Sequence, residues 1–266
     1  MPSVPGYFRA MKEVCDKYGA LLIFDEVMSG MGRTGTLHAW EQEGVIPDIQ
    51  TIGKGLGGGY APVAGLLIGH RVVTALDNGT GAFAHGQTYQ GHPVACAAAL
   101  EVQRIIREQG LVENVRRMGK ILSSQLKQRL SGHPHVGDIR GRGLFWGVSC
   151  ALSGNIPYIS DRVRLNLCAT RPPRSLSTPK TQLPWASMRK VWQVPLNDSY
   201  AFAQNLRLGL QPEYNVSIYP GTGTVDGRTG DHVLLAPAYN TTESDIKLIA
   251  DTTGKVIEDF FAEFQA

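Results

Sequence analysis

The chain has 266 residues, 42% of them hydrophobic and 18% charged, with a formal net charge of +3. That length accommodates one large or two ordinary domains around a substantial core, and the composition is that of a globular protein. So modest a charge implies no nucleic-acid partner; no apolar run is long enough for a membrane span, and the first residues do not read as a secretory signal.

Along the chain, Tyr7, Phe8, Met11 and Val14 give residues 6–18 the spacing of an amphipathic helix. The apolar run from Ala20 to Phe24 in "GALLIFDEV" predicts a strand covered on both faces, as in a parallel sheet. Short strands follow at Ile49–Ile52 and Val63–Ile68. A helix is predicted from near Pro93 to Gly110, and a second over Leu111–Leu130. Helices and strands in this alternation point to an α/β layer architecture. After Gly132 the texture changes: "VGDIRGRGLFWGVSC" and "NVSIYP…DHVLLAP" read as strands of a smaller α+β unit. The closing helix is announced by Thr242 as its N-cap. The organisation expected is therefore residues 1–131 in the larger unit and 132–266 in the smaller one.

Residues 153–194 break the pattern. They hold seven Lys or Arg against one acid, Asp161, and five prolines, with no sustained period. A loop so long inside a compact domain is unusual. Two readings stand: translated non-coding sequence, or a basic loop that binds an anionic partner. Recovery of peptides from "SLSTPKTQLPWASMR" in the native protein distinguishes them. The four cysteines, Cys15, Cys96, Cys150 and Cys168, form no C-x-x-C pair, which argues against a zinc site or a disulfide framework. The sequons at Asn78, Asn197, Asn215 and Asn240 read as chance matches, and a cytoplasmic, reduced setting is expected.

Three residues carry candidate chemistry. Asp25 ends an apolar strand, where α/β folds place functional groups; it either serves chemistry or caps the turn that follows. Lys54 follows "DIQTI" between Gly53 and Gly55, which permit close approach of a flat ligand. It is either a surface lysine in a turn or an amine that forms an imine with an aldehyde. The pair points to pyridoxal phosphate: the lysine takes the aldehyde, and the carboxylate keeps the ring nitrogen protonated. Thr88 in "HGQTYQGHPVA" precedes a helix N-terminus, a favourable place for a phosphate, although a loop Thr also serves as a plain turn residue. "YPGTGTVDG" imitates a dinucleotide fingerprint with the wrong spacing. His85 and His92 lack a nearby acid cluster and read as loop residues, so no metal is expected.

"LLIFDEVMSGMGRTG", "PDIQTIGKGLGGGYAPVAG" and "FAHGQTYQGHPVACAAAL", in that order, resemble the class-III (ω-type) aminotransferases, which are fold-type-I pyridoxal-phosphate enzymes. The resemblance covers roughly residues 5–150 and 200–264. It implies the C-terminal half of that family's large domain followed by a small α+β C-terminal domain, in a chain truncated at its N-terminus. It further implies that Lys54 is the Schiff-base lysine and proton shuttle, that Asp25 pairs with the pyridine nitrogen, and that Val27 packs under the ring. By the same resemblance Thr88 binds the phosphate of the neighbouring subunit's cofactor in a homodimer with a shared active site. The activity implied is transfer of an amino group from an amino donor to a keto acid or aldehyde. The rival expectation is a catalytically inactive remnant that acts through subunit association. Met28 stands where many relatives carry Gln, and Arg228 lies near the place of a carboxylate-binding arginine with different local spacing.

Overall fold

The computed structural model describes residues 2–150, 219–221 and 231–263. The basic segment 153–194, Arg228 and most of the imitation fingerprint lie outside the described residues. Helix α1 (Tyr7–Tyr18) runs between two left-handed glycines, Gly6 and Gly19, and lays Phe8 and Cys15 on Leu22 and Phe24. A three-stranded sheet follows, β1 (Ile23–Asp25), β2 (Ile49–Ile52) and β3 (Gly65–Ile68), in the order β1-β2-β3. β1 and β2 are parallel, with Asp25 opposite Thr51, whereas β3 is antiparallel to β2.

This sheet departs from expectation in two ways. The run expected as a strand covered on both faces forms a ladder only from Ile23, and Ile23 is 57% exposed while Leu22 and Phe24 are buried. The reason is that α1 covers one face alone. The third strand is antiparallel, and its Leu66 and Leu67 are also exposed. A helix absent from the expectations, α2 (His70–Asp77), packs eight residues after Gly69. It is too short to display a convincing helical period.

Helices α3 (Pro93–Glu108) and α4 (Leu111–Leu130) fall where they were predicted. α4 starts at left-handed Gly110 and buries Val115, Met118, Leu122, Leu126 and Leu130, one stripe at three- and four-residue spacing. The stripe faces a second sheet of β4 (Val136–Arg142), β5 (Phe145–Cys150), β6 (Tyr219–Gly221) and β7 (Asp231–Leu235), antiparallel throughout and ordered β4-β5-β7-β6. On β5, Trp146, Val148 and Cys150 alternate inward, as a half-covered strand requires. Helix α5 (Glu243–Glu263) closes this core with Ile246, Ala250, Ile257, Phe260 and Phe261. It opens on the expected cap: the Asp245 N–H donates to Thr242 Oγ1 at 3.3 Å, and the Thr242 N–H donates to Asp245 Oδ2 at 2.9 Å. α4 therefore belongs to the core of the second sheet although it precedes residue 132.

Two glycines let this second core meet the first unit. Gly143, in the turn between β4 and β5, has φ +54°, and a Cβ there would lie 2.5 Å from the Thr34 carbonyl carbon. A Cβ on Gly119 of α4 would collide with the Gly143 carbonyl. Helix, hairpin turn and the loop after β1 thus touch through backbone.

Leu122 is fully buried among α4, α5 and the second sheet. Leu122→Ala is expected to cost about 2–5 kcal/mol of folding stability, measured by denaturant unfolding. A loss below about 1 kcal/mol would contradict this packing.

Candidate active site

The parallel pairing of β1 and β2 places their carboxyl ends at one edge of the sheet. Asp25 is the last residue of β1, and Lys54 comes two residues after the end of β2. The ladder ends with the Glu26 N–H donating to the Thr51 carbonyl at 3.0 Å. The chain then turns, and Asp25 Oδ1 accepts from the Val27 N–H at 3.0 Å and from Thr51 Oγ1 at 3.0 Å. The carboxylate does cap the turn after the strand. Among the described residues, Oδ2 has no hydrogen bond. The Val27 N–H, then the Thr51 hydroxyl and the Lys54 charge, hold the Asp25 carboxyl below the usual carboxylate range, with the little desolvation it feels acting the other way. It is therefore ionised at neutral pH.

Lys54 has left-handed backbone, φ +42°, at the start of a 3-10 turn over Lys54–Leu56. Such a conformation is uncommon for a residue with a Cβ and persists where its surroundings over-determine it. The surroundings are specific. The turn is closed by Leu56 N–H to Gly53 O at 2.9 Å and Gly58 N–H to Lys54 O at 3.0 Å. Gln103 of α3 donates to the carbonyls of Gly55 at 3.1 Å and Leu56 at 2.9 Å. The Lys54 side chain is exposed and has no hydrogen-bond or ion-pair partner among the described residues. A Cβ on Gly53 would lie 3.4 Å from Val27 Cγ1, so Val27 stands beside the glycine that precedes the lysine.

The structure thus brings Asp25, Val27 and Lys54 to one sheet edge. Thr88 lies apart from them, on an exposed turn that leads into α3 and shares no hydrogen bond with them. His92 caps α3, its Nδ1 accepting from the Ala95 N–H at 3.4 Å, and His85 packs edge-on against Phe83 at 5.8 Å.

Several residues of the site escape sequence reasoning. Thr51 and Gln103 act through contacts 26 and 48 positions away along the chain. Glu26, beside Asp25, is 3% exposed, and its carboxylate accepts from the Ala39 N–H and the Trp40 N–H, both at 2.7 Å, and from Gln50 Nε2 at 2.8 Å. That carboxylate anchors the loop which carries the glycine turn back to the sheet. The adjacent Asp-Glu pair, one at the strand end and one turned inward, was the available signal. A cavity of about 300 Å³ opens on the other side of Asp25, lined by Phe24 and Trp40 from the first unit and by Arg142, Phe145 and Trp146 from the second. Lys54 does not line it.

The residues present fit pyridoxal phosphate by the chemistry of the set. A primary amine for an aldehyde and an ionised carboxylate for a ring nitrogen follow adjacent parallel strands, with the aliphatic Val27 beside Gly53, the residue before the lysine. Among the described residues, no group of three or more His, Cys, Asp or Glu side chains could hold a metal ion, and no helix is long and apolar enough to cross a membrane.

Residues 1–164 match the family described as Aminotransferase class-III. An aminotransferase of Gibberella zeae is 48% identical over 257 residues, which span 97% of this chain and 43% of that protein. An uncharacterized aminotransferase of Schizosaccharomyces pombe is 45% identical over 254 residues, 96% of this chain and 47% of its own length. Among solved structures, a transaminase from the marine bacterium Virgibacillus superposes with a TM-score of 0.76 at 27% identity, over 98% of this chain and 50% of the other. An (S)-enantioselective omega-transaminase from Thermomicrobium roseum gives 0.71 at 29% identity, over 96% and 47%. The chain spans about half the length of the curated relatives it matches.

Proposed function

The chain belongs to the class-III aminotransferases, and from that membership we propose that it transfers an amino group from an amino donor to a keto acid or aldehyde, with pyridoxal phosphate held at Lys54 and Asp25. The observation that carries this reading is a lysine with no hydrogen-bond or ion-pair partner among the described residues, set with an ionised carboxylate at the carboxyl ends of adjacent parallel strands. Pyridoxal phosphate, when bound, supplies an aldehyde for the lysine and a ring that draws electrons from the reacting bond.

The protein's own groups do the rest. Lys54 Nζ would hold the cofactor through its aldehyde, and in its free form the same amine would be the base that takes a proton from the donor's α-carbon and the acid that returns one. Asp25, an ionised carboxylate held by the Val27 N–H and the Thr51 hydroxyl, would keep a proton on the ring nitrogen. Oδ1 is already occupied by the Val27 N–H and the Thr51 hydroxyl, which orients the carboxylate and leaves Oδ2, without a hydrogen bond among the described residues, for the ring nitrogen. Val27 offers the ring an aliphatic floor. The functional unit on this reading is a homodimer in which Thr88 meets the cofactor phosphate of the neighbouring subunit. The placement of Thr88 on an exposed turn before the N-terminus of α3 supports that role.

The half-reaction tests this reading. The protein is loaded with pyridoxal phosphate and mixed with a panel of primary amines and amino acids in the absence of any acceptor. The expected result is conversion of the bound cofactor to its aminated form by at least one donor, restored by a keto acid. Exposure of Asp25, Lys54 and Thr88 favours a second reading, an inactive chain that acts through subunit association. Cofactor uptake without conversion by any donor would favour it.

A further inference from the structure

The left-handed Lys54 turn rests on a side chain from the far end of the chain. Tyr239 follows β7 in "APAYN", and its hydroxyl donates to the Met31 carbonyl at 3.0 Å. Met31 itself is left-handed, φ +54°. A Cβ on Gly55, the residue after Lys54, would lie 3.0 Å from Tyr239 Oη and 3.1 Å from Met31 Cβ. The phenol therefore wedges under the residue next to the lysine while it holds the loop that follows Asp25. The two left-handed non-glycine residues among those described, Met31 and Lys54, meet at this one side chain.

Tyr239 is in turn held from both sides. The Arg33 guanidinium lies over its ring at 4.5 Å. The same guanidinium donates to the Leu144 carbonyl at 3.2 Å and the Pro237 carbonyl at 2.5 Å. Asn114 of α4 donates to the Tyr239 and Thr241 carbonyls at 2.8 and 3.0 Å. Burial pushes the Tyr239 phenol up, so it remains the protonated donor that the Met31 carbonyl requires. These anchors come from the loop after β1, from α4, from the turn between β4 and β5, and from the segment that joins β7 to α5.

We propose that Tyr239 is a positioning residue for Lys54: it holds the strained Met31 and Lys54 turns against each other and so ties the lysine to the second sheet. Its consequence for reactivity rests on the reading of Lys54 as the reactive amine; its consequence for the turn does not. Strain at Lys54 is sustained by Gln103 from α3 on one side and by Tyr239 through Gly55 and Met31 on the other. Removing the hydroxyl alone leaves the ring and the Arg33 stacking over it in place, so Tyr239→Phe removes only the polar bonds of the phenol, to the Met31 carbonyl and to the Arg33 guanidinium.

The test is hydrogen exchange followed by mass spectrometry on Tyr239→Phe and the parent chain, without cofactor. Peptides that contain the Leu56 and Gly58 amides are expected to exchange about three- to tenfold faster in the variant, the factor that loss of one net hydrogen bond carries. Peptides from α4, Leu111–Leu130, are expected to be unchanged. A second arm measures the rate of the borohydride-trappable adduct with pyridoxal phosphate, expected to fall by a similar factor. Unchanged exchange at Leu56 and Gly58, or an equal rise in α4, would overturn the proposal, the latter because it marks Tyr239 as a general fold residue. If the parent chain forms no adduct, the functional reading fails, while the exchange arm still decides the role of Tyr239.

Discussion

Lys54→Ala is expected to leave a folded chain that no longer captures pyridoxal phosphate covalently. The side chain is exposed and bonds to no described residue, so its loss removes no packing. Lysine and alanine both carry a Cβ, so the left-handed backbone at φ +42° is no more strained in the variant than in the parent. Thermal unfolding should therefore be nearly unchanged. Turnover should fall on the order of 10²–10⁴-fold from loss of the proton shuttle alone, and further because the cofactor is no longer held by a covalent bond. The checks are the absorbance of the protein with added pyridoxal phosphate, the amination half-reaction, and a melting curve. Turnover equal to that of the parent would refute the assignment of Lys54.

Asp25→Asn has the second largest expected effect, and it separates the two roles of that carboxylate. Asparagine keeps an oxygen that can accept from the Val27 N–H and the Thr51 hydroxyl, so the turn cap survives. It loses the negative charge that, on the proposed reading, would hold a proton on the ring nitrogen. Turnover is expected to fall on the order of 10²–10³-fold, the scale for removing one preorganised electrostatic partner, while the fold is retained. The pH dependence has a defined sign. The folded-state pKa is lowered, so the contribution of the carboxylate is present above its ordinary pKa and is lost as pH falls through the lowered folded value. The parent should keep the contribution through mildly acid pH, and the variant should lack it at every pH. If Asp25→Asn retains turnover within a few fold, the carboxylate serves only the turn.

The sequence made α3 and α4 legible because both are long enough to repeat their apolar period several times. β2 was legible because two isoleucines and a β-branched threonine, Ile49, Thr51 and Ile52, stand between Pro47-Asp48 and Gly53. The sheet was harder. Ile23 read as a covered residue, yet it is exposed, because a residue type reports what a surface can bury and not what lies against it. The direction of β3 has no local signal at all. At the site, Asp25 and Lys54 were visible through their glycine-rich settings and their place after strands. Thr51, Gln103, Arg33 and Tyr239 were not, because each acts through a hydrogen bond or ring contact to a residue distant in sequence. Gln50 and Glu26 are the clearest case. Both are polar in sequence and buried in the structure, and only their mutual hydrogen bond with the Ala39–Trp40 turn explains how burial is tolerated. The cap at Thr242 succeeded for the opposite reason: both its partners lie within three residues.

The central claim is that Lys54 is the amine that takes up the cofactor. The direct measurement is to incubate the protein with pyridoxal phosphate, reduce with borohydride, digest, and locate the phosphopyridoxyl group by peptide mass spectrometry. The expected result is near-stoichiometric modification of Lys54, with other lysines modified only in trace amounts, and loss of that modification in Lys54→Ala. Modification spread over surface lysines, with Lys54 no more labelled than Lys12 or Lys120, would contradict the assignment.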